Sequence, residues 1–90
     1  MNKILLITTK GCAGCNIMHR LIRQAMKSSS KDISFAIKDK DELGKKWLTQ
    51  NKISDFPTTL FIKDDIIKFK YVGTNPAVVI LRWIDVYFKN

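Results

Sequence analysis

The chain has 90 residues, of which 46% are hydrophobic and 27% charged, with sixteen Lys and Arg against eight Asp and Glu for a formal charge of +8. That length allows one hydrophobic core, so residues 1–90 are expected to form a single domain, and the composition excludes intrinsic disorder. Two Cys, four Gly and two Pro exclude a disulfide-dense secreted scaffold and any collagen-like or low-complexity chain. The basic surplus is compatible with nucleic acid, an anionic membrane, an acidic partner or plain solubility, and does not choose among them.

Near the amino terminus, Lys3 precedes the apolar run Ile4-Leu5-Leu6-Ile7. Four residues fall short of the roughly 7–15 of a signal-peptide core. No stretch approaches the ~20 apolar residues of a membrane span. The protein is therefore expected in the cytoplasm, with no membrane partner. In that reducing compartment two cysteines are more often catalytic or metal-binding than structural.

The first element is Ile4 to Thr8, a run without polar alternation that predicts a strand buried on both faces. Lys10-Gly11-Cys12-Ala13-Gly14-Cys15 interrupts it. A helix follows from about Ala13 to Ser28. Its apolar side carries Ile17, Met18, Leu21, Ile22, Ala25 and Met26, and its polar side His19, Arg20, Arg23 and Lys27. Ile33 to Lys38 is a second strand, with Ile33, Phe35 and Ile37 on one face. Asp39 or Asp41 offers an N-cap for a helix to about Asn51, which buries Leu43 and Trp47 and is weakened by Gly44.

Thr58 to Lys63 and Ile66 to Val72 read as a hairpin closed by Asp64-Asp65. In the last helix, which runs to about Phe88, Asn75 is the expected cap and Pro76 the first helical residue. Its core stripe is Ala77, Ile80, Leu81, Ile84 and Phe88, while Val79, Trp83 and Val86 lie nearly opposite. The order β-α-β-α-β-β-α predicts an α/β fold with a mixed four-stranded sheet flanked by helices. A helical crossover makes the first two strands parallel.

The pair Cys12–Cys15 lies between a buried strand and a helix start. C-x-x-C spacing brings two sulfurs within reach of a disulfide. Amide hydrogens of the first helical turn and the helix dipole favour a thiolate at Cys12. Helical spacing turns Cys12 toward solvent, beside His19 and Arg23, and Cys15 toward the core face. An exposed first cysteine suits a nucleophile and a shielded second one a resolving thiol. Lys10 adds positive charge nearby, and Gly11 and Gly14 leave the sulfur approachable. The competing reading is a metal site of Cys12, Cys15 and His19, for which a fourth ligand has no evident source.

Phe56-Pro57-Thr58-Thr59 opens the third strand. The ordered set of C-x-x-C after the first strand, X-Pro-Thr before a hairpin and Gly73 before the last helix resembles the thioredoxin superfamily, over nearly the whole chain. The resemblance implies a thioredoxin-like fold and thiol-disulfide oxidoreductase activity, with Cys12 and Cys15 catalytic. It implies a cis bond at Pro57, and substrate contacts at Gly11, Phe56, Pro57, Thr58 and Gly73, with Lys10 tuning the thiol. The chain looks like the short glutaredoxin-sized members, without the extra strand and helix of full thioredoxins. Its Cys-Ala-Gly-Cys motif matches neither Trp-Cys-Gly-Pro-Cys nor Cys-Pro-Tyr-Cys. Leu6 stands where thioredoxins place a buried acid. Gly73-Thr74-Asn75 is closer to the thioredoxin pattern than to the glutathione-holding Gly-Gly of glutaredoxins.

The expected function is reduction of protein disulfides. No metal or resident cofactor is expected, and electrons come from a recycling reductase or from glutathione. Glutathione-linked activity, or a metal-binding or interaction module on the same fold, is the alternative. A nucleic-acid surface of Lys10, Arg20, Arg23, Lys27 and Lys31 lacks interleaved aromatics, so no nucleic-acid partner is expected. The protein is expected to be a monomer, with a weak dimer through Val79, Trp83 and Val86 as the variant reading.

Overall fold

A computed structural model describes residues 1–89. The elements are β1 (Asn2–Thr8), α1 (Ala13–Lys27), β2 (Ile33–Asp39), α2 (Lys40–Leu43), α3 (Lys45–Gln50), β3 (Thr58–Lys63), β4 (Ile66–Val72) and α4 (Ala77–Tyr87). The strands form one mixed sheet in the order β2-β1-β3-β4. β1 runs parallel to β2 and antiparallel to β3, and β4 returns antiparallel to β3.

β1 is central because alternate residues feed two cores. Ile4 and Leu6 pack with Met18 and Ile22 of α1, Ile80 and Ile84 of α4, and Phe61 and Phe88. Leu5 and Ile7 pack on the other face with Ile53 and Leu60, against Leu43, Trp47, Leu48 and Phe56. An unbroken apolar run is what a strand covered on both faces requires. The two-residue hairpin turn works because Asp64 and Asp65 both adopt positive φ, 52° and 66°, as the twist of paired strands demands. The Met1 ammonium sits against the Asp64 carboxylate and holds it below the usual carboxylate range.

Three sequence expectations change in detail. The helix read across Asp41–Asn51 is two short helices, because Gly44 takes φ +84° at the junction. Asp39 opens the first of them with a reciprocal cap: its side chain accepts from the Asp41 amide while Glu42 accepts from the Asp39 amide. The last helix starts one residue later than expected. Pro76 itself is the N-cap, with extended ψ of 151°, and Asn75 makes no cap bond.

The third difference concerns Val79, Trp83 and Val86, which do not form a continuous exposed stripe. Trp83 turns back onto the sheet, with ring centroids 5.1 Å from Phe69, 4.7 Å from Tyr71 and 6.1 Å from Phe61. Alternation along β4 puts Phe69 and Tyr71 on the α4 side, and these rings cover the indole. Val86 remains exposed and Val79 is half-buried.

Candidate functional site

The site lies where β1 hands over to α1. After Thr8 the chain turns through Gly11, whose φ of +69° suits glycine, and reaches Cys12 in extended conformation, φ −99° and ψ 101°. Cys12 is the N-cap of α1, and its sulfur does the work usually left to a Ser or Asp oxygen. The Cys15 amide donates to Cys12 Sγ at 3.1 Å. No acidic residue occupies the first turn of α1. The positive end of the helix therefore meets the sulfur without an opposing charge, the setting that favours a thiolate once the pair is reduced.

Cys12 and Cys15 are joined by a disulfide, with their Cα atoms 5.3 Å apart. Their exposures differ in the sense that helical spacing predicts. Cys15 is 4% exposed and sits at the edge of the α1 core face. Cys12 is half-buried.

The loop before β3 closes the other side. The Phe56–Pro57 peptide bond is cis. Pro57 is buried, and its ring lies against the backbone of Gly14. A Cβ placed on Gly14 would stand 3.4 Å from Pro57 Cδ and 3.7 Å from the Thr74 methyl. Gly14 thus permits close approach of the proline loop to the first turn of α1. Gly73, at φ +101°, donates its amide to the Pro57 carbonyl at 2.8 Å, tying the end of β4 to the loop. Thr58 Oγ1 donates to the Asp55 carbonyl at 2.6 Å and stiffens the approach. Phe56 is half-buried against the Leu5, Ile7, Ile53 and Leu60 cluster.

The structure therefore brings Gly11, Cys12, Cys15, Pro57, Thr58 and Gly73 to one end of the sheet, with Phe56 leading in from the second core. Lys10 is exposed two residues before Cys12 and makes no ion pair among the described residues. His19 is engaged elsewhere. Its Nε2 accepts from Arg23 Nε at 2.7 Å, and its ring lies 5.7 Å from that of Phe35. Among the described residues no group of three or more His, Cys, Asp or Glu side chains is arranged to hold a metal ion. No helix of the described chain is long and apolar enough to cross a membrane.

Sequence reasoning missed two residues here. Thr74 faces Gly14 with its methyl and accepts the Tyr71 hydroxyl at its carbonyl, at 3.2 Å. Nothing in the linear order pairs residue 74 with residue 14. Thr59 is fully buried, and its Oγ1 alone among buried side-chain polar atoms of the described residues has no hydrogen-bond partner. It lies directly across from Leu6 in the β1–β3 register. Its place two residues beyond Pro57 was the available signal.

A four-stranded α/β fold that carries a C-x-x-C disulfide at the strand–helix junction, facing a buried proline, defines a thioredoxin-like protein. The chain belongs to the thioredoxin family, whose family model matches residues 2–86. Solved structures agree on the fold. Thioredoxin-2 of the malaria parasite, described as a component of its protein secretion machinery, superimposes with a TM-score of 0.80 at 15% identity, over 96% of this chain and 82% of that one. Chloroplastic thioredoxin z gives 0.80 at 18% identity, over 100% and 80% of the two chains. Schistosoma mansoni thioredoxin gives 0.75 at 19%, over 96% and 78%. No curated protein sequence matches the chain. A thioredoxin-family domain bearing a Cys12–Cys15 disulfide supports thiol-disulfide oxidoreductase chemistry.

Proposed function

We propose that residues 1–90, as one thioredoxin-like domain, reduce protein disulfides by dithiol exchange, with Cys12 as nucleophile and Cys15 as resolving cysteine. The observation that carries this reading is the asymmetry of the pair. Cys12 is the more exposed residue of the two, half-buried, and its sulfur receives the Cys15 amide, whereas Cys15 is 4% exposed. Thiolate is the attacking species, and the helix start stabilises it at Cys12.

In the reduced protein the Cys12 thiolate attacks one sulfur of the substrate disulfide. The Cys12–substrate bond forms, the substrate S–S bond breaks, and the second substrate sulfur leaves as a thiolate that takes a proton from water. Cys15, losing its proton, then attacks Cys12 Sγ. The mixed disulfide breaks, the first substrate sulfur leaves and is protonated, and the Cys12–Cys15 disulfide forms. Two electrons have passed to the substrate. The disulfide described above is this oxidised product state, and an external reductase or glutathione returns the two electrons.

Gly11, Phe56 and Gly73 form the substrate-facing rim around the buried Pro57, whereas Thr58, expected as a substrate contact, is 0% exposed and acts beneath the rim by holding the loop through the Asp55 carbonyl. An extended substrate segment next to the Pro57 loop would use backbone groups there, as strand addition does. Lys10 favours the Cys12 thiolate by its charge. The protein works as a monomer in the cytoplasm, without a metal or a resident cofactor.

Reduction of insulin disulfides with a dithiol as electron source tests the reading. Turnover is expected in the native chain, none in Cys12→Ser, and an accumulated mixed disulfide in Cys15→Ser. Full activity of Cys12→Ser overturns the mechanism. The equilibrium potential of the pair tests the direction: a value near roughly −270 mV fits a reductant, and one near roughly −120 mV makes the protein an oxidant instead.

A further inference from the structure

The outer face of α1 continues the line of the nucleophile. Cys12, Asn16, His19, Arg23 and Lys27 recur at spacings of four, three, four and four, so they share one helical stripe, and Arg20 flanks it. Between Ala13 and Lys27 there is no Asp or Glu. The two ion pairs among the described residues, Met1–Asp64 and Lys38–Glu42, involve none of these cations. The Asp39 carboxylate at the end of β2 is occupied by the Asp41 amide.

Beside this stripe lies an open groove of about 600 Å³, lined by Arg20, Arg23, Lys27, Gln24, Met26 and Phe35. Arg23 is held in place there. Its Nε donates to His19 at 2.7 Å and its guanidinium carbon stands 5.5 Å over the Phe35 ring. The terminal amino groups of the guanidinium have no hydrogen-bond partner among the described residues and match a bidentate carboxylate. Next to the groove, β2 is an edge strand paired only with β1 among the described strands.

We propose that this groove docks an acidic, extended segment of the protein whose disulfide Cys12 attacks, and so selects substrates by charge. The inference rests on the reductant reading for its link to Cys12. Carboxylates would meet Arg20, Arg23 and Lys27, and the segment's backbone would lie along the open β2 edge. An acidic peptide fits better than nucleic acid because Phe35 is the groove's one aromatic residue and Arg23 already stands over its ring at 5.5 Å, so a base would have to displace the guanidinium to stack there. Position along the helix sets the spacing. Arg23 lies about 16 Å and Lys27 about 22 Å beyond Cys12 at 1.5 Å per residue. An extended chain reaches them in roughly five to seven residues. The acidic residues should stand that far from the substrate cysteine.

Two short peptide disulfides test this, one with glutamates roughly five to seven residues from the cysteine and one with glutamines there. At low salt the native protein should reduce the glutamate peptide about tenfold faster in kcat/KM, as expected of three surface ion pairs acting together. The ratio should fall toward one in about 0.5 M NaCl, and also in an Arg20→Gln, Arg23→Gln, Lys27→Gln variant. Equal rates for the two peptides overturn the docking surface while leaving the reductase reading intact. Failure to reduce even the neutral 2-hydroxyethyl disulfide sinks the reductase reading. Docking is decided apart from turnover by titrating the isotope-labelled oxidised protein with a cysteine-free glutamate peptide in NMR. Amide shifts at residues 20–27 and 34–37 support the surface, and their absence, or tighter binding of oligo-dT at the same amides, refutes it.

Discussion

Gly14 is the most exacting test of how the site is assembled, because the structure separates two substitutions that sequence alone would treat alike. A Cβ there reaches Pro57 Cδ at 3.4 Å and Thr74 Cγ2 at 3.7 Å, which is ordinary contact. Gly14→Ala should therefore fit without displacing the proline loop and gain up to about 1 kcal/mol of helix propensity. Valine adds two γ carbons about 1.5 Å farther out. Its stiff χ1 leaves little choice of direction, and a carbon moved toward Pro57 from 3.4 Å falls inside the optimal separation of roughly 3.5–4.0 Å. Such overpacking costs about 1–3 kcal/mol.

Gly14→Val should thus be less stable than Gly14→Ala by roughly 2 kcal/mol, or about 8–16 °C in Tm for a domain of this size. Urea and thermal unfolding of the oxidised proteins measure the difference. Insulin reduction should follow it, with Ala near native and Val slowed, since Val pushes the Pro57 loop off the first turn of α1 that carries the cysteine pair. Equal stability and activity of the two variants would refute the close packing of loop on helix.

Other outcomes follow from single observations. Thr59→Val removes a fully buried hydroxyl without a partner at nearly constant shape, so it should stabilise the protein by about 1 kcal/mol in urea unfolding; a loss of stability would mean that the hydroxyl is satisfied. Phe61→Ala empties the centre of an aromatic cluster, with Phe88 at 5.3 Å and Phe69 at 6.0 Å, and should cost about 3–5 kcal/mol by the same assay. Asp39→Ala removes the reciprocal cap on α2 and should cost about 1 kcal/mol in urea unfolding; unchanged stability would mean that the cap contributes nothing.

Much of the fold was legible because β1 and α1 are strongly patterned. Four consecutive apolar residues bounded by turn signals read as a strand covered on both faces, and the apolar face of Met18, Ile22 and Ala25 reads as a helix packed on a core. The hairpin was legible from Asp64-Asp65 between two apolar runs. Gly44 reads in the sequence as a weakness of one helix, but how a glycine is used depends on the φ that packing selects, and here +84° divides one helix into two. Trp83 misled because helical spacing describes a helix alone. Its indole is covered by Phe69 and Tyr71, residues twelve and more positions away that reach it only when β4 and α4 pack together.

The candidate site divides in the same way. Cys12 and Cys15, their unequal exposure and the helix start behind them are local properties, set by a strand end, a glycine and 3.6-residue periodicity, and the sequence by itself determined them. The meeting of Gly14 with Pro57 and Thr74, the amide bond from Gly73 to the Pro57 carbonyl, and the Arg23–His19–Phe35 arrangement beside an open sheet edge were decided only by the tertiary structure. Each joins segments whose separation along the chain carries no pairing signal. They come together because burying both faces of one central strand forces α1, the proline loop and the end of β4 to the same end of the sheet.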